Sequence, residues 1–245
     1  RTGLYRNLPL AVILVLLALA NLLFHLSVLR WLSIPILPAL HAALALLVMI
    51  QCIMAGRVIP GFTISATRGL RIVPWPWLER ICLASTALGL ALWVAAPVSW
   101  SRTAALVLAL AAASHALRQW RWRSGVVWQR PVLWILHAAY LWITIGLALL
   151  AMAQAGWLPN SAGIHAFGVG STGGLIIGMM TRTARGHTGR NLQTRPLELA
   201  AYLLVMLAAV LRVLQPVLMR AELSAPLWVA AAGAWSLAFG IYLWI

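Results

Sequence analysis

The chain contains no lysine and no aspartate, and its 245 residues include only three glutamates, Glu79, Glu198 and Glu222. So few acids, set near the ends of apolar runs, leave several chemistries without their essential groups. Paired-carboxylate hydrolysis, carboxylate-bridged di-iron sites and an acidic proton relay are all unsupported. The two cysteines, Cys52 and Cys82, make neither a disulfide framework nor a CxxC metal pair. Each lies inside an apolar run and reads as a small buried packing residue. HExxH, GxSxG and P-loop motifs are also missing, because the GHTGR run at 186–190 lacks the lysine and spacing of a phosphate cradle. No signal peptide is visible, since the first apolar run is too long for a signal core and has no small-residue cleavage site. No motif assigns a reaction, so the sequence does not make the protein an enzyme.

What is present is apolar. Hydrophobic residues make up 63% of the chain and charged residues 9%, with a mean hydropathy of +0.94. That composition is expected of an all-α, polytopic transmembrane helix bundle forming a single domain over residues 1–245. The formal net charge of +15 does not indicate nucleic acid. All eighteen basic residues are arginines and sit almost entirely between apolar runs, the pattern of membrane-flanking charge rather than of a basic binding face. The chain begins at Arg1 without a methionine and stops at Ile245 within an apolar run. It is therefore expected to be the C-terminal two-thirds of a longer protein, whose N-terminal helices would be partners of this bundle.

Eight segments approach spanning length: 7–29, 36–55, 77–96, 102–117, 131–153, 164–181, 196–214 and 226–245. The fourth is the shortest. Fourteen arginines, at 1, 6, 57, 68, 71, 80, 118, 121, 123, 130, 182, 185, 190 and 195, fall on one side of this alternation. The other side has only Arg30, Arg102 and Arg220, with Arg212 one or two turns inside the seventh segment. The positive-inside rule makes the arginine-rich side cytoplasmic. Trp31, Trp100 and Trp157 at one boundary, and Trp75, Trp77, Trp120, Trp122 and Trp128 at the other, suit interfacial aromatic belts.

With orientation set, the six histidines sort by depth. His25, His41 and His165 lie toward the outer side; His115, His137 and His187 lie toward the cytoplasmic side, His187 in the loop after the sixth segment. An intramembrane imidazole is costly without a partner, so these two layers are candidate sites. In the sixth segment, a turn of about 100° per residue puts Gly170, Gly174 and Gly178 opposite His165 as a small-residue packing ridge. Thr172 and Met179 then share the His165 face. The fifth segment carries a polar stripe of His137, Tyr140 and Thr144. His41 and Cys52 are about 16 Å apart along one helix and cannot share a metal. Gln51 and Cys52 read as packing or local hydrogen-bonding residues. Neutral imidazoles in apolar surroundings are suited to ligating haem iron or copper.

Four stretches carry a family resemblance. MMTRTARGHTGR at 179–190 resembles the signature of the NnrS family. GRVIPGFT at 56–63, HALRQWRWR at 115–123 and PVLWILHAAYLWI at 131–143 are similar to further stretches of that family. The similarity extends from about His41 to Arg195. It implies a multi-pass bacterial inner-membrane protein that contains haem and copper and acts in the response or resistance to nitric oxide. The family's histidines would fall on His41, His115, His137, His165 and His187 as metal ligands. His41 and His165 would serve an outer-side site and His137 with His115 an inner-side one, with His165, His137 and His41 the leading cofactor contacts. The family usually has about twelve spans and an early histidine-rich motif, which the eight segments here do not include. A reading from another class is a transporter or small-molecule pathway with a histidine-lined cavity, which would show substrate-dependent flux and no stable chromophore.

Overall fold

The computed structural model describes residues 3–218 and 221–244; Arg1, Arg220 and Ile245 lie outside them, as does the side chain of Arg6. Among the described residues every regular element is helical. The first four long helices are α1 (Gly3–Val28), α2 (Ile36–Ala66), α3 (Pro76–Ala95) and α4 (Ser101–Arg121), followed by α5 (Pro131–Gln154). The sixth segment is a composite of α6 (Asn160–His165), a π-helical stretch (Ala166–Gly173) and α7 (Gly174–His187). The bundle ends with α8 (Pro196–Leu218) and α9 (Ala221–Trp244).

Within the described residues seven helical units are long and apolar enough to cross a membrane. The remaining long helix, α4, has 21 residues and would cover about 31 Å at 1.5 Å per residue, close to the thickness of a bilayer's hydrocarbon core. Arg102, His115, Arg118, Gln119 and Arg121 dilute its apolar character. It packs between α3 and α5, where most of those polar groups find partners. The eight expected segments thus each correspond to a helical unit.

Boundaries moved in informative ways. The second segment, expected to end at residue 55, continues as helix through Pro60 to Ala66, so Arg57 and GRVIPGFT are helical rather than part of a loop. The sixth likewise runs on to His187, which ends a helix instead of lying in a connection. Proline opens α3, α5 and α8, where its fixed φ and missing N–H carry no penalty.

α5 is the hub, touching α2, α4, α6, the π stretch, α7 and α8. Lipid tails provide no hydrophobic drive between helices, so close approach depends on small residues. Gly170, Gly174 and Gly178 do form a packing ridge: an added Cβ would strike Trp142, Ala139 and Leu136 of α5, respectively. Gly146 of α5 reciprocates, accepting the ring of Phe167. Side-chain pairs show α4 running antiparallel to both α3 and α5. Glu79 near the start of α3 meets Arg118 at the end of α4, and Gln119 meets the His137 carbonyl near the start of α5.

Candidate functional site

His115 and its neighbours form a closed hydrogen-bond network. Thr86 donates its hydroxyl proton to the Cys82 carbonyl at 2.7 Å, so its contact with His115 Nε2 at 2.9 Å must have the imidazole N–H as donor. His115 Nδ1 is then an acceptor and takes the Tyr140 hydroxyl proton. Tyr140 in turn accepts from Arg118 Nη1 at 3.0 Å, and the same nitrogen donates to the Cys52 carbonyl at 3.0 Å. Arg118 also forms a two-pronged ion pair with Glu79. Its side chain is 3% exposed and that of Glu79 32%. This arginine is therefore not the solvated flanking charge expected from its place in the sequence.

His137 repeats the arrangement. Thr63 donates to the Ile59 carbonyl at 2.8 Å and must accept from His137 Nε2 at 2.9 Å. Ser124 then donates to Nδ1 at 2.9 Å. Trp122, expected at the interface, is instead buried, with its ring 4.4 Å from Tyr140 and 6.2 Å from His137. Each inner imidazole thus has a threonine on one nitrogen and a second hydroxyl on the other. In this arrangement neither presents a lone pair to a metal. A ligand role would require displacing Ser124 or Tyr140.

The outer layer is sparse. His41 stacks on Trp93, with ring centroids 4.6 Å apart, and Trp93 donates to the Asn160 side chain at 3.2 Å. His165 closes α6 and is half-buried. Among the described residues, neither His41 nor His165 uses a ring nitrogen in a hydrogen bond. Both keep the lone pair that metal ligation needs. His25 is exposed and edge-on to Phe24, and His187 is exposed. No three His, Cys, Asp or Glu side chains gather as a metal-binding group among the described residues.

The π stretch changes the expected face of His165. A hydrogen-bonding pattern of i→i+5 turns the chain by less per residue than an α-helix does, so the 100° arithmetic does not apply from 166 to 173. Thr172 is directed to other work: it donates to the Phe167 carbonyl, five residues back, at 2.8 Å. It also accepts from Gln51 Nε2 at 2.7 Å, while Ser171 donates to Gln51 Oε1. Gln51 therefore makes an interhelical clamp on the π stretch, not a local contact, and Thr172 is not free to line a pocket with His165. Met179 packs against the core. In the expected stripe on α5, Thr144 is left with a buried hydroxyl and no partner.

Sequence reasoning missed the supporting hydroxyls Thr63, Thr86 and Ser124. Thr63 and Thr86 are isolated hydroxyls inside apolar helices and Ser124 sits in the turn before α5, signals too common to select them. It also missed Arg185, which pairs with Glu198 and donates to the Asn191 carbonyl at 2.7 Å. Glu198 Oε2 accepts from the Arg195 backbone N–H at 2.7 Å, so the basic connection after α7 is closed on its own helix neighbour. Both cysteines are free and buried, as expected.

No match is found among curated proteins or among solved structures. The NnrS protein family matches residues 1–245, a longer span than the four stretches alone indicated. The chain belongs to the NnrS family.

Proposed function

We propose that this membrane protein binds haem or copper in the bacterial inner membrane and serves in the response or resistance to nitric oxide, with His41 and His165 as its ligating imidazoles. One observation carries the choice of residues: among the described residues these two imidazoles are half-buried and make no ring-nitrogen hydrogen bond, whereas His115 and His137 have both nitrogens bonded. A neutral histidine without a partner in an apolar setting is costly, and ligation to a metal would remove that cost. The metal, when bound, would supply a centre able to take a small diatomic ligand or an electron. Stacking on Trp93 would orient the His41 ring.

The test is the absorption spectrum and metal content of detergent-purified full-length protein. A reduced-state Soret band or bound copper is expected, lost in His41→Ala and His165→Ala and retained in folded His137→Ala. A colourless, metal-free wild-type preparation would overturn the reading.

A further inference from the structure

Two of the stretches singled out in the sequence, GRVIPGFT and HALRQWRWR, meet at a place that the histidines do not explain. Gly56, Arg57, Pro60 and Gly61 from the first, and Arg118, Arg121 and Trp122 from the second, line a cavity of about 440 Å³ on the arginine-rich side. The loop through Ile72, Val73, Pro74 and Trp75 closes its rim. A smaller cavity of about 250 Å³ adjoins it, sharing Arg121, Ile72 and Val73 and adding Arg71 and Arg123.

The charge in this double cleft is unbalanced. Glu79 is its only acid, and that carboxylate is committed to Arg118. Arg71, Arg121 and Arg123 therefore leave a net positive field over both cavities. Arg121 is held in place rather than waving in solvent. Its guanidinium lies 3.4 Å from the Trp75 ring centroid and donates to the Val73 carbonyl at 3.1 Å. Preorganised guanidinium groups are good partners for phosphate oxygens. The rest of the lining is apolar, from Pro60, Ile64, Ile72, Val73 and Leu78. Gly61 keeps its part of the wall open, since an added Cβ would meet nothing within 4 Å.

We infer that this cleft is a binding site for an anionic phospholipid, with the phosphate held by Arg121 and its neighbouring guanidinium groups and the glycerol and upper acyl carbons against the apolar wall. Basic pockets between membrane helices on the cytoplasmic side take such headgroups. The combination of an apolar wall with an arginine rim favours an amphiphile over a free ion. The shared arginine between two cavities further favours a headgroup large enough to reach across the 72–73 segment.

The experiment is thermal denaturation of the full chain in neutral detergent, titrated with phosphatidylglycerol, with phosphatidylcholine or with inorganic phosphate. Arg121→Gln removes a charge, Gly61→Leu fills the cleft without touching charge and improves helix propensity, and Arg190→Gln removes an exposed arginine elsewhere. Phosphatidylglycerol is expected to raise Tm in the wild type and in Arg190→Gln, with the response weakened in about 0.5 M salt. Its half-maximal concentration is expected to rise about fivefold to tenfold in Arg121→Gln and in Gly61→Leu. Equal stabilisation by phosphatidylcholine, or an equal shift from inorganic phosphate alone, would overturn the assignment. So would a wild-type response in Gly61→Leu, which decides the matter should Arg121→Gln fail to fold.

Discussion

The inner and outer histidines differ less in depth than in what surrounds them. His115 and His137 sit among threonine, serine and tyrosine hydroxyls that use both ring nitrogens. His41 rests against an indole and His165 is half-buried at the end of α6, with no ring-nitrogen hydrogen bond to either among the described residues. An imidazole whose two nitrogens are bonded acts as a cross-link between helices. One whose nitrogens are unbonded is either a stability cost or a ligand. Histidine in a membrane helix is thus not one signal but two, and only the neighbours separate them.

The comparison can be broken most forcefully at Arg118. Replacing it with methionine strands Glu79 and removes the donor to Tyr140 and the Cys52 carbonyl; a loss of about 3–5 kcal/mol is expected. It would be seen as a lower Tm in detergent, with metal content per folded molecule unchanged. A folded, metal-free variant would mean that the inner network reaches the metal site after all.

Gly56→Ala comes next. Its Cβ would collide with the Arg118 guanidinium, and overpacking of this kind costs about 1–3 kcal/mol. Pairing it with Arg118→Met in a double-mutant cycle should give strongly non-additive losses, because both act on one contact. Additive losses would show that Gly56 matters for another reason.

Thr63→Val and Thr86→Val each leave an imidazole N–H buried without its acceptor, for about 1–2 kcal/mol apiece. Neither should alter the absorption spectrum. Gln51→Leu releases the clamp on the π stretch and should cost about 1 kcal/mol, in line with interhelical hydrogen bonds measured in membranes. Faster hydrogen exchange at residues 166–173 would accompany it.

The smallest effect on stability is expected from His41→Phe, within about 0.5 kcal/mol, since phenylalanine keeps the stack on Trp93. Yet this change should abolish the metal signal while His137→Phe preserves it in the molecules that fold. The reverse result would exchange the roles of the two layers.

The spanning segments were legible from hydropathy alone. Hydropathy acts through the bilayer, which imposes one dimension on the whole chain. The glycine ridge of the sixth segment was legible for a related reason, since small residues at a four-residue spacing have few uses other than close packing. Its opposite face was not. The expected alignment of Thr172 with His165 assumed uniform α-helix, and the π stretch from Ala166 to Gly173 leaves no mark in hydropathy. Likewise Arg118 and Arg185 carry the same letter as Arg190, and their burial follows from where Glu79 and Glu198 happen to lie on other helices.

What the sequence determined by itself was the architecture: an all-helical, multi-pass bundle of long apolar segments. Those properties are sums over many residues, each responding independently to lipid or water. Tertiary structure alone decided which imidazoles are saturated, which arginines are neutralised and which two motifs meet at a basic cleft. Those outcomes depend on individual hydrogen bonds between helices, whose length scale of about 3 Å is finer than any periodicity in the chain.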